Sequence, residues 1–326
     1  MGQQRDSSID LLKFLAVFII INSHCDILYP ESIRALATGG AIGDCLFLFV
    51  SGFTLALSPV IGFGDWYKRR VVRIFPSVFV CALAASAIDM EGRISVLRLF
   101  GGEFIIAIMI YYVMLWCVRR FLADRIAAVI TAIGIMSAVV YVWWFPYKYE
   151  TGETGMYGTS TLYRWLPYSA FMMFGMYVGG VRGRLDFCGW RDGAMLMLSV
   201  ALFYGIQLAG RMNHDLAPWQ VLSLVPLAGV VFYMYKVCNI RALGRICSSR
   251  AGNLLICGVA GLCLESYLIQ LPLITDRFNG CLIFPLNLIF MTFVIILAAY
   301  LCRCGSRLFS QTFAPSSYDW KAIFKL

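Results

Sequence analysis

His24 closes one long apolar stretch, and Lys68-Arg69-Arg70-Val71-Val72-Arg73 follows a second. An imidazole can move protons or carry an acyl group, and clustered guanidiniums can hold phosphate oxygens. A third group is the acid Glu265, set in the apolar run Leu264-Glu265-Ser266-Tyr267-Leu268-Ile269-Gln270-Leu271-Pro272. Ionisable side chains are costly at membrane depth, so they mark a site or a pathway. Together these residues point to group transfer across or within a membrane. Taken singly, each has a plainer explanation. A lone His in an apolar helix is commonly a structural hydrogen-bonder, and a basic stretch after a span is an anchor under the positive-inside rule.

The surrounding chain has to be a membrane protein for that argument to hold. Of its 326 residues, 60% are hydrophobic and 14% charged, against about 45–50% and about 25% in soluble domains. Its mean hydropathy is +0.77. Ten segments approach the ~20 residues that span a bilayer: roughly 9–28, 41–61, 74–90, 99–118, 126–145, 165–181, 193–209, 217–235, 252–271 and 281–302. With the N-terminus inside, 20 Lys and Arg fall on the inner side and seven on the outer, accounting for all 27. This bias places both termini in the cytoplasm. It also explains the net charge of +9 through topology, without nucleic acid. The expectation is an all-α polytopic protein of about ten transmembrane helices, forming one integral-membrane domain over 1–326.

Within the first segment, Asp10 and Lys13 are three residues apart and share a helix face, where each partly neutralises the other. His24 lies eleven residues beyond Lys13, roughly 16 Å further toward the outside. Glu265 and Gln270, on an outward-running segment, approach that depth. Ser51 and Gly52, small residues in the aromatic run Phe47 to Phe53, permit close helix packing. Pro76 suits the first turn of a third helix starting at 74. Arg70 and Arg73, three apart, offer forked donors to a phosphate. Most of the twelve cysteines sit in spans or at their inner ends and read as small hydrophobes. Cys25 and Cys45 both fall near the outer face, where a disulfide is conceivable. No cysteine or histidine spacing suggests a metal site.

These stretches resemble the integral-membrane acyltransferase 3 family. The likeness lies in Asp10, Lys13 and His24 on the first helix, then in Phe47 to Phe53, then in Arg70, Arg73 and Pro76 as an Arg-x-x-Arg-hydrophobic-x-Pro element. It continues in Phe171-Met172-Met173-Phe174-Gly175-Met176 and in Cys263 to Gln270, similar to a Ser-Tyr-Glu-Leu-Tyr-Leu-x-His pattern. There are departures: Gln270 stands where many members have a second His, and Cys263-Leu264 replaces Ser-Tyr. A Trp common early in the fourth helix is not evident near Glu103.

The resemblance implies an O-acyltransferase of the bacterial inner membrane. Its donor would be cytoplasmic acyl-CoA, chiefly acetyl-CoA, and its acceptor a hydroxyl of an envelope glycan or lipid-linked sugar. No metal is implied. His24 and Glu265 would be catalytic, His24 as general base or acyl relay and Glu265 orienting it. Arg70, Arg73, Asp10, Lys13 and Gln270 would bind substrate. The donor's phosphates would dock on Arg70 and Arg73, its pantetheine arm threading toward a His24 kept neutral by burial. The 147–163 loop, with Tyr149 and Tyr157, could stack on a sugar or form an interfacial aromatic belt. A transporter or flippase of a sugar or lipid is the alternative, although no paired broken helices are visible in two halves of the chain.

Overall fold

The computed structural model describes residues 6–88, 96–144, 155–158, 161–315 and 317–325. Among them there is helix and no strand. The longer helices are α1 (Ser7–His24), α2 (Gly40–Ala56), α3 (Phe63–Ile88), α4 (Gly102–Phe121), α5 (Ile126–Val139), α6 (Thr161–Val181), α7 (Gly189–Met212), α8 (Leu224–Cys238), α9 (Arg250–Gly261), α10 (Cys263–Leu273) and α11 (Leu286–Thr312). In lipid the backbone must satisfy its own hydrogen bonds, and helices do this within one segment.

Among the described residues, each of the ten expected segments lies largely on helix. Among the described residues, eight helical stretches are long and apolar enough to cross a membrane. The pair α9 and α10, bent by 67°, makes a ninth if counted as one span. Helix α6 has the length, at 21 residues, but Tyr163, Arg164, Trp165, Pro167 and Tyr168 dilute its apolar character. The chain is a multi-pass membrane protein.

Two boundaries differ from the sequence reading. Helix α3 starts at Phe63 rather than 74, so the basic stretch is itself helical and Pro76 lies in the helix interior. Lys and Arg are good helix formers, and buried Trp66 anchors the early turns. Pro76 removes one N–H, the bond that would reach the carbonyl four residues back. The 252–271 segment is broken at Leu262, whose N–H bonds to the Val259 carbonyl in a tighter turn.

The chain forms two compact units. The first comprises Met1–Leu12, Asp44–Val60 and Tyr111–Arg245. Here α2 and α6 cross at glycines. A Cβ on Gly52 would overlap the Met172 carbonyl, and one on Gly175 would overlap the Phe49 carbonyl. Arg119 donates to the carbonyls of Leu55, Ala56 and Ser58, satisfying the end of α2. Asp192 accepts from Lys236 Nζ at 2.7 Å and from the Cys188 N–H, pairing α7 with α8. Tyr157 is held inside this unit, 2.9 Å from Ser223 Oγ and edge-on to Phe203. Tyr149 lies outside the described residues.

The second unit comprises Lys13–Gly43, Ile61–Ile110 and Ile246–Leu326. Its centre is the mutual packing of α3, α10 and α11. Cys81, Ala85, Leu262, Ile269, Ala299 and Cys302 form the apolar cluster between them. Twelve free thiols include Cys25 and Cys45, so the conceivable bridge between those two is not formed.

Candidate active site

The break between α9 and α10 places Glu265 in the first turn of α10, where the unpaired N–H groups and helix dipole favour a negative charge. The residue is fully buried. Its Oε1 accepts from Ser77 Oγ on α3 at 2.6 Å and from Arg303 Nη1 on α11 at 2.8 Å. One carboxylate oxygen thus joins the three helices. The guanidinium offsets the desolvated charge, and Ser77 adds a charge-assisted bond. Glu265 Oε2 has no hydrogen-bond partner among the described residues. Arg303 thus supplies the full positive charge beside this carboxylate.

Sequence reasoning placed Arg303 in an inner loop, just past a span ending at 302. It lies instead inside α11, which continues to Thr312. The available signal was an intramembrane acid in need of a partner. What was missing was the extra length of α11 that brings Arg303 within the packed region.

Arg70 and Ser77 are seven residues apart on α3 and Arg73 and Ser77 four, so all three share one face. The axial rise from Arg70 to Ser77 is about 10 Å. The Arg70 guanidinium lies over the Trp66 ring, 4.5 Å from its centroid, a cation–π contact that orients it. Arg70 is half-buried and Arg73 exposed. Lys13 and Glu265 both act electrostatically on Cys263, which sets Lys13 near the start of α10. Asp10 is buried, and it belongs to the part of α1 grouped with the other unit. The remaining candidates, His24, Arg70, Arg73, Lys13, Glu265 and Gln270, all belong to one unit.

His24 is the last residue of α1 and is exposed, so the burial expected around it is not found. Its position is set from both sides. Asn22 Nδ2 donates to the carbonyls of Leu36 and Thr38, at 2.9 and 3.1 Å, and Asn22 Oδ1 accepts from Tyr29 Oη. These bonds fold the following loop, with its 3₁₀ turns at Asp26–Leu28 and Glu31–Leu36, back on the helix end. Asn279 and Asn287 then donate to the carbonyls of Ile27 and Leu28, tying this loop to the segment before α11. Asn22 stands out in sequence as a polar residue of the first segment, whereas Asn279 and Asn287 do not, because Asn is common in loops for purely local reasons.

Gln270 lies one and a half turns beyond Glu265 on α10 and is buried, with its Oε1 unpaired among the described residues. Burial removes any need for a titrating group there, and an amide is less costly than an imidazolium.

A buried acid bonded to Arg303 and to Ser77, whose helix also carries Arg70 and Arg73 along one face, sits in a multi-pass helical membrane protein. The chain is more particular than that. Residues 6–304 match the acyltransferase-domain family, and the protein belongs to this family, whose members transfer acyl groups to hydroxyl acceptors. No curated protein and no solved structure matches the chain.

Proposed function

We propose that the protein transfers an acyl group, chiefly acetyl, from cytoplasmic acyl-CoA to a hydroxyl of an envelope glycan or lipid-linked sugar, in the bacterial inner membrane and with both termini cytoplasmic. The reading is carried by the family match over 6–304. It is supported by the grouping of His24, Arg70, Arg73 and Glu265 in one unit. The CoA phosphates bind at Arg70 and Arg73, whose forks suit phosphate oxygens. His24 removes the acceptor proton, and the oxygen attacks the thioester carbonyl. A C–O bond forms, the C–S bond breaks, and the proton passes from the imidazolium to the departing CoA thiolate. The relay variant has His24 nitrogen take the acyl group first and hand it to the hydroxyl. Glu265 contributes as a fixed negative charge anchored by Arg303, and Asp10, Lys13 and Gln270 as binding groups. Membrane lipids surround the outer surface.

The broken α9–α10 span keeps a transporter or flippase as a second reading, because broken helices line transporter sites. Radiolabelled acetyl-CoA supplied to membranes with native glycans separates the two. Label reaching glycan with wild type and not with His24→Ala supports the acyltransferase. Substrate crossing the membrane unmodified, without acyl-CoA, supports the transporter. Label transfer equal in both variants, above a vector control, removes His24 from the mechanism. Loss of both Arg70 and Arg73 is expected to weaken CoA binding, whereas His24→Ala spares most of it.

A further inference from the structure

The family match ends at 304, and the chain beyond it stays attached to the last helix. Residues 317–325 turn back along the end of α11. Gln311 holds both backbone groups of Asp319: its Oε1 accepts from the N–H at 2.8 Å and its Nε2 donates to the carbonyl at 3.4 Å. One turn earlier, Arg307 donates to the carbonyls of Ile323 and Lys325. Nearer still to the middle of the helix, Tyr300 Oη donates to the Phe324 carbonyl at 3.0 Å. Tyr300, Arg307 and Gln311 are successively seven and four residues apart, so they share one face. From Gln311 to Tyr300 the segment climbs about 16 Å along the helix.

Helix α11 is a candidate membrane span. Its run from Leu286 to Cys302 carries no charge, and Arg303 and Arg307 follow. The hydrocarbon therefore ends near the level at which the returning segment is bound. Ile323, 2% exposed, is its contact with the protein. The other large apolar side chains face away: Trp320 and Phe324 are each 58% exposed and stack on one another, 6.5 Å between centroids. Tyr318 packs beside Trp320 and meets Thr312 through its hydroxyl. Lys321 and Lys325 follow the two stacked rings directly in sequence and are exposed. Asp319 is the acid of the stretch 318–325, and its carboxylate accepts from the Ala322 N–H.

An aromatic pair fixed at the end of a span, with a lysine beside each ring, has the composition of an interfacial anchor. The rings suit the boundary between headgroup and acyl chain, and the ammonium groups suit phosphate just outside it. Lysine is depleted at protein–protein contacts, which argues against a second protein on this face. We propose that residues 318–325 form a lipid-binding clasp, in which Trp320 and Phe324 enter the bilayer interface and Lys321 and Lys325 hold the phosphate of an anionic phospholipid. Tyr300, Arg307 and Gln311 are its positioning residues. They bind the backbone of the segment and leave those four side chains free for lipid.

The test uses the full-length protein in mixed phosphatidylcholine–phosphatidylglycerol vesicles, with bromine on the acyl chains of one lipid or the other. The chain has eight tryptophans, so the Trp320 signal is the emission lost in Trp320→Phe, with Trp320→Tyr as a second subtraction. That signal is expected to be quenched by both lipids, and more strongly by brominated phosphatidylglycerol. Two lysines less the nearby Asp319 leave one net charge, which corresponds to about a fivefold preference for the anionic lipid. The double variant Lys321→Gln/Lys325→Gln is expected to lower the preference to about one or below, while Trp320 stays quenchable. A Trp320 signal untouched by either lipid overturns the clasp. Equal quenching by the two lipids in wild type, or an unchanged preference in the lysine double variant, also overturns it. A wild-type dimer that Trp320→Phe dissociates, with Trp320 unquenched, makes the rings a contact between copies and overturns it too.

Discussion

Arg303→Met deletes the guanidinium 2.8 Å from Glu265 and keeps most of the side-chain volume. The carboxylate, fully buried, is left with the Ser77 hydroxyl alone. Breaking a buried pair from one side costs about 3–5 kcal/mol, since the surviving charge stays desolvated. The Arg303 side chain is 31% exposed, so part of its charge is already solvated and the lower end, about 3 kcal/mol, applies. Glu265→Gln removes the charge and leaves Arg303 free to turn toward water, so it costs less, about 1–2 kcal/mol. In the double variant no unpaired charge remains. Its destabilisation falls short of the sum by a coupling energy of about 2 kcal/mol, within the range for contacting residues. Equilibrium unfolding in mild detergent of wild type, both singles and the double measures this directly. A coupling under about 0.5 kcal/mol, the ordinary error of additivity, would refute the claim that Arg303 stabilises the Glu265 charge.

Gly175→Val places a branched side chain against the Phe49 backbone and is expected to abolish the folded protein, whereas Gly180→Val, where the added Cβ meets open space, leaves folding intact; size-exclusion profiles of the two variants decide it. Cys25 lies between the first two candidate spans with no exposed surface. Burial, and then the charge of Asp26, push its thiol up to about 11. Since the thiolate is the reactive form, a variant retaining only Cys25 stays unlabelled by maleimide at pH 7.5, and labelling rises only as pH approaches 11. A variant retaining only exposed Cys281 is the comparison, and equal labelling rates in the folded state would contradict the burial of Cys25.

Local patterns carried a large part of this protein. The helical segments follow from apolar stretches near bilayer length, because lipid leaves the backbone no other partners. Close packing at Gly52 was legible because a missing side chain has one obvious use inside an aromatic run, whereas its counterpart Gly175 emerged only from the structure. Family membership was legible from the order and spacing of short motifs, none of them sufficient alone. The start of α3 was misjudged because hydropathy falls where arginine appears, although arginine does not end a helix. The bend at Leu262 left no mark that a hydropathy window could read.

The sequence by itself determined that the chain crosses a membrane repeatedly and that Glu265, within an apolar segment, required a partner. Only the tertiary structure decided that the partners of Glu265 are Ser77 and Arg303, 188 and 38 residues away, and that α1 ends at an exposed His24 secured by Asn22. The reason is physical. Hydropathy and helical period act between residues a few positions apart and are written in order along the chain. The pairing of a buried charge depends on which helices pack side by side and on how far each runs, which is settled when α3, α10 and α11 come together.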